Sequence, residues 1–114
     1  MQHKITRFSN ILHTSTPFYG PVSEVLDRIK NGNSKDVVER IRKEKDKEKR
    51  NQIKKELPAI CFSGEFSKRA DNALVQHSGL ICLDFDGFTT VKDMMTAKKQ
   101  MASDDYVMSV FISP

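Results

Sequence analysis

Apolar positions along the chain follow two periods, and the change from one to the other marks out its elements. Val22, Val25, Leu26 and Ile29 recur at i, i+3, i+4 and i+7, which is one face of an amphipathic helix. Pro21 suits the first turn of that helix, and Asn31-Gly32 supplies its C-terminal stop. A second helix begins with Ser34 as N-cap and carries Val37, Val38 and Ile41 on its apolar side. Beyond Ile41 the stripe disappears until Ile53 and Leu57. The Lys/Glu/Asp run between favours helix but buries nothing. It is one long helix, or two with a break near Asp46, which would cap the second; Pro58 ends it. Ahead of these helices, Lys4 to Phe8 alternates weakly as a short strand. Asn10 to Pro21, rich in Ser, Thr, Pro and Gly, reads as an irregular loop. His13 within it has no metal-ligand partner at a recognisable spacing, which leaves it a surface or capping role.

From Leu57 the pattern turns strand-like. Ala59-Ile60-Cys61-Phe62 reads as a strand closed by Ser63-Gly64, and Asp71 to Gln76 as a short helix. Leu80-Ile81-Cys82-Leu83 is a continuous apolar run, the mark of a strand buried on both faces, and Gly87 permits a sharp turn after it. Thr89 or Thr90 then caps a further helix, Thr90 with Asp93 resembling an acidic capping box. Val91, Met94, Met95 and Met101 would form its buried side, methionine serving there as core filler. Asp104-Asp105 breaks that helix, and Tyr106 to Ile112 reads as another strand. Strand, helix and strand in this order predict a βαβ unit with parallel neighbours. The expected fold is therefore α+β, with a helical N-terminal region, a small mixed sheet and a βαβ unit at the C-terminus. Residues 1–57 would form the helical region with its basic arm, and 58–114 a sheet-bearing core fragment, together one partial domain.

Composition narrows the class. At 114 residues, 38% hydrophobic and 30% charged, the chain is globular but polar. No apolar run approaches the roughly 20 residues needed to cross a bilayer. Lys4 and Arg7 interrupt any signal-peptide core after Met1. Cys61 and Cys82 lie in apolar runs without the paired spacing of a zinc site, so they read as buried free thiols in a reducing, cytoplasmic compartment. The net charge of +4 is unevenly spread: between Arg40 and Lys55 nine Lys or Arg stand against three acids. That arm fits a solvated helix and a nucleic-acid-facing patch equally well.

The chemistry concentrates at the end of the apolar run. Asp84 and Asp86 sit two positions apart, so on a strand both carboxylates leave the same face, roughly 7 Å apart at Cα. Two carboxylates this close raise each other's pKa unless a cation joins them, and a hard divalent ion with oxygen ligands is the natural neutraliser. At the carboxyl end of a strand in an open sheet, the pair would stand where ligands bind.

A family resemblance rests on these residues. Leu57-Pro58-Ala59-Ile60-Cys61-Phe62-Ser63-Gly64-Glu65-Phe66-Ser67, followed by Lys68-Arg69, Leu74, His77-Ser78-Gly79-Leu80 and Leu83-Asp84-Phe85-Asp86, resembles the VirE N-terminal-type family. That family occurs in mobile-element proteins and is similar to the archaeo-eukaryotic primase-polymerase superfamily. The resemblance implies a primase-like half-fold, with Asp84 and Asp86 as catalytic ligands of Mg2+ or Mn2+ in two-metal nucleotidyl transfer. It implies nucleic acid and a nucleoside triphosphate as partners of a parent protein. It also suggests Lys68 or Arg69 near phosphate, although a solvated loop cation fits them as well; His77 and Ser78 would shape the approach to the strand. The family's next motif would begin where this chain stops, which predicts a chain inactive alone, dependent on the C-terminal remainder of a longer domain.

Two other classes compete. Leu83-Asp84-Phe85-Asp86-Gly87 resembles the first motif of haloacid-dehalogenase-type phosphohydrolases, in which Asp84 would be nucleophile and Asp86 general acid/base. Phe88 displaces the motif's Thr to position 89, and only 28 residues follow Asp86, too few for that family's later motifs. Alternatively the chain is a non-catalytic nucleic-acid-binding or interaction module, with Arg42, Lys43, Lys49, Arg50 and Lys54 in the contact arm.

Overall fold

The computed structural model describes residues 3–113, which form a small α+β arrangement of two antiparallel sheets and four helices. It divides into two compact units, the first running to Cys82 and the second covering Leu83–Ser113.

The first unit is built on β1 (Lys4–Phe8), whose Ile5, Thr6 and Phe8 are buried. β1 is the middle strand of three, paired antiparallel on one side with β2 (Phe18–Pro21) and on the other with β3 (Ala59–Cys61). Residues on either side of position 57 thus share one sheet. β2 lies within the stretch expected as an irregular loop. Its Gly20-Pro21 ending disguised it, yet Pro is tolerated at the end of an edge strand because no ladder bond is required of it there. Pro21 then becomes the N-cap of α1 (Val22–Lys30), which lays Val22 and Val25 on Ile5, with Leu26, Ile60, Phe62 and Leu80 around them. The helix ends in a Schellman motif: Asn33 N–H reaches Arg28 O at 3.0 Å and Gly32 N–H reaches Ile29 O at 3.2 Å, with Gly32 at φ 72°.

The polar stretch that follows is two helices, α2 (Lys35–Lys43) and α3 (Lys47–Lys54). Asp46 divides them, its carboxylate accepting from Glu48 N–H at 2.9 Å and Lys49 N–H at 3.5 Å. Ser34 precedes α2 as expected but makes no side-chain cap bond. Ile41 is buried, whereas α3 buries nothing.

The second sheet pairs β4 (Gly64–Phe66) with β5 (Leu74–His77). β3 closes as expected, in a turn over Phe62–Ser63, and Gly64 then opens β4. The short helix expected over Asp71–Gln76 is a single 3-10 turn at Asp71–Ala73, after which β5 takes over. Leu74 and Val75 favour an extended backbone, and pairing with β4 overrides the weak local helix signal. Thr6 Oγ1 ties the sheets, donating to Gly64 O at 2.7 Å and accepting from Phe66 N–H at 2.9 Å. Tyr19 adds a second tie from β2 to Phe66 O at 2.7 Å.

In the second unit α4 (Val91–Ala102) is capped by Thr90 Oγ1, which accepts from Asp93 N–H at 3.1 Å. The methionine stripe forms at helical spacing, but no residue of α4 is buried and Val91 is 71% exposed. Leu80–Leu83 is not a buried strand either. Ile81 is 84% exposed, and neither this run nor Tyr106–Ile112 carries a described ladder bond. Gly79, at φ 82°, turns the backbone out of line immediately before the first run. In the second, Asp104 captures Tyr106 N–H at 2.8 Å in a local turn that competes with extension. The expected βαβ unit is consequently absent among the described residues, while the α+β class stands.

Candidate functional site

Asp84 and Asp86 lie on the segment without regular secondary structure between Cys82 and Gly87, in the second unit. Both are exposed, and among the described residues neither takes part in a hydrogen bond or a salt bridge. Leu83 and Phe85, which the alternation would send into packing, are exposed as well. Gly87 has φ 86° with open space around its Cα, so backbone conformation alone asks for glycine there. Neither the expected strand nor a turn at Gly87 is present; the chain bends only afterwards, at Thr89 and Thr90.

A cation at this place would meet two carboxylates. No cluster of three or more His, Cys, Asp or Glu able to hold a metal occurs among the described residues. Two carboxylates suit Mg2+, which keeps several waters and takes further oxygens from substrate phosphates. They do not suit a cage that strips the ion of its water. The donor set thus fits a hydrated, weakly held Mg2+ or Mn2+ and not a structural metal.

Lys68 and Arg69 sit in the loop after β4, in the first unit, and both are exposed. They do not act alike. Arg69 lines an open cavity of about 470 Å³ together with Ile60, Phe62, Phe66 and both cysteines, whereas Lys68 does not. Arg69 is held in place through its backbone, whose N–H donates to Thr14 O at 3.0 Å. Neither cysteine is the buried thiol the sequence suggests: Cys61 is half-buried and Cys82 exposed. Burial pushes the Cys61 thiol above its ordinary pKa, and the neighbouring Arg69 guanidinium partly offsets this.

His77 and Ser78 organise the backbone ahead of the acidic segment. Ser78 Oγ donates to Phe62 O at 2.6 Å, Ser78 N–H to Ser63 O at 2.7 Å, and His77 Nδ1 accepts from Gly79 N–H at 2.8 Å. His3 Nδ1 bonds Ser78 O at 2.7 Å from the start of β1, a link of high sequence separation that no local pattern announces. His13 sits in a turn around the Asn10 side chain, which accepts the N–H groups of Leu12 and His13 at 2.9 and 3.1 Å.

On the arm, Arg42, Lys43, Lys49 and Lys54 are exposed and Arg50 half-buried. None of the five is in a salt bridge among the described residues. The arm's ion pairs are Lys35–Glu39 at 3.9 Å and Arg40–Glu56 at 3.0 Å. Five uncompensated cations on α2 and α3 make a positive field available to a polyanion.

Fold and site together define a small α+β domain that carries an exposed acidic segment and a basic helical arm. Within that class the chain belongs to the BT4734-like, N-terminal domain family, whose model matches residues 52–114, more than half its length. The match takes in β3, β4, β5, the Asp84–Asp86 segment and α4. No curated protein and no solved structure matches the chain. No helix among the described residues is long and apolar enough to cross a membrane.

Proposed function

We propose that the chain is the metal-carrying portion of a primase-polymerase-like nucleotidyltransferase domain from a cytoplasmic, mobile-element-type protein. In this reading Asp84 and Asp86 hold Mg2+ or Mn2+, and the arm engages nucleic acid. The observation that carries it is that two exposed carboxylates, in no salt bridge among the described residues, stand two positions apart on one irregular segment. A divalent ion, when bound, lowers the pKa of an attacking hydroxyl and stabilises a departing pyrophosphate. Asp84 and Asp86 supply the negative charge that holds the ion. Arg69, which lines its own cavity in the first unit, carries a fork of N–H donors of the kind that binds a phosphate group bidentately. Lys68 offers only a mobile point charge.

Mn2+ titration followed by NMR line broadening tests the assignment. Broadening centred on Asp84–Asp86, with affinity on the order of millimolar, is expected from two carboxylates and water. Broadening should vanish in the Asp84→Asn, Asp86→Asn variant. Broadening centred elsewhere, or unchanged in that variant, overturns it. Trapping of a phosphate analogue covalently on Asp84 would instead establish the phosphohydrolase reading.

A further inference from the structure

The three-stranded sheet ends at β3, whose outer edge is unpaired among the described residues, while an apolar run of this same chain passes close to that edge. The β4–β5 ladder points from one to the other. Gly64 pairs with His77, and the next step is already made, since Ser78 N–H donates to Ser63 O at 2.7 Å. Extended past the turn at Phe62–Ser63, the same antiparallel ladder would run down β3 on one side and through residues 79–82 on the other. Two features set its register. Gly79 at φ 82° has the left-handed conformation that a G1 bulge requires, and such a bulge would place two residues, Gly79 and Leu80, opposite one, Phe62. The Ser78 hydroxyl bridges that level, accepting from Leu80 N–H at 3.1 Å and donating to Phe62 O at 2.6 Å. Leu80 packs on the same core cluster as Phe62 and Ile60, as two residues on one sheet face must. Cys82 lines the same cavity as Ile60 and Cys61.

We propose that residues 80–82 close onto the free edge of β3 as a fourth strand, with Ile81 opposite Cys61 and Cys82 opposite Ile60. The sheet order becomes β2-β1-β3 followed by this strand. The occupant of the edge is the chain's own segment, because continuity with the β4–β5 ladder fixes both its direction and its register. Closure removes an open edge and gives Ile81 a cross-strand neighbour. The inference stands independently of any cation at Asp84 and Asp86.

NMR of the full chain without metal tests it. Cross-strand backbone NOEs between Cys61 and Ile81 and between Ile60 and Cys82 are expected. Amide exchange at residues 80–82 should be at least tenfold slower than at Tyr106 and Val107. Absence of these NOEs, in spectra that do show the β1–β3 contacts of Thr6 with Cys61 and Phe8 with Ala59, overturns the proposal. So do NOEs that pair Cys61 with Leu80, which exclude the bulge. NOEs from β3 to a second copy, found by isotope filtering of a mixed sample, overturn it as well. Gly79→Val, which forbids the left-handed bulge, should abolish the cross-strand NOEs while leaving those of β1–β3. Their persistence in that variant counts against the stated register.

Discussion

The hydroxyl of Thr6 donates to the carbonyl of Gly64 at 2.7 Å, across 58 residues of sequence, and is fully buried in doing so. Through the same oxygen it accepts the N–H of Phe66. One small side chain on the central strand of the first sheet thus satisfies both a donor and an acceptor of the second. Thr6→Val keeps the shape and β-branching but strands both backbone groups. The expected loss is about 1–3 kcal/mol of unfolding free energy. A lowered urea midpoint with unchanged m-value is the signature. Thr6→Ser should recover most of it.

Gly64 is needed for a different reason. A Cβ at this position would stand 2.9 Å from the Cα of His77 and closer still to the carbonyl oxygen of Gln76. Both obstacles are backbone atoms, which cannot swing aside as a flexible side chain would. Gly64→Ala should therefore force β4 and β5 apart and cost about 1–3 kcal/mol. Amide exchange should rise selectively at Glu65, Phe66 and Gln76. Normal protection there would show that the ladder tolerates the methyl group.

Cys61 links stability to pH. Burial favours its neutral thiol, so the folded chain holds that proton to higher pH than the unfolded chain, whose thiol titrates at 9.0. The unfolded state then binds fewer protons in the interval above 9.0, and stability falls as pH rises there. This contribution is complete below 9.0 and is lost as pH climbs through the raised value. Denaturation midpoints of wild type and Cys61→Ser, compared between pH 7 and pH 10, should diverge only on the alkaline side. Cys82, being exposed, should alkylate well ahead of Cys61 at neutral pH.

The arm makes an electrostatic prediction. If Arg42, Lys43, Lys49, Arg50 and Lys54 each meet a phosphate, their joint replacement by Gln should reduce the slope of log K against log salt for a single strand by about 3.5. Asp84→Asn with Asp86→Asn should leave that slope intact. Fluorescence anisotropy with a labelled oligonucleotide reads both. A slope unaffected by the five substitutions would place the nucleic-acid contact elsewhere, or nowhere.

How much of this was legible beforehand depended on how local its cause is. α1 could be read from Val22, Val25, Leu26 and Ile29 with the Asn31-Gly32 stop, because periodicity and a left-handed glycine act within a few residues. The break at Asp46 and the Thr90 cap were legible for the same reason. β2, β4 and β5 were not. Phe18–Pro21 and Gly64–Phe66 are short and interrupted by Gly or Pro, and they exist because β1 and β5 pair with them. Leu80–Leu83 and Tyr106–Ile112 show the converse, strand-like runs that carry no ladder bond among the described residues. Their composition favours strands, but a strand also needs a neighbour, and composition does not supply one. At the candidate site, the spacing of Asp84 and Asp86 was informative about chemistry. The distinction between Arg69 and Lys68 came only from the cavity, while the shaping role expected of Ser78 took definite form in its bonds to Phe62 and Ser63.

The alternation of apolar and acidic residues from Ile81 to Asp86 also bears on how the protein behaves at high concentration. Ile81, Leu83 and Phe85 are exposed side chains of high β-propensity, of the kind that stack into intermolecular ladders. Asp84 and Asp86 interrupt them with negative charge, so stacked copies would bring like charges together at every layer. The two aspartates act as gatekeepers against self-association. The double Asn variant should therefore bring on light scattering at high concentration. The carboxylates suited to holding a cation are the same ones that keep neighbouring copies apart.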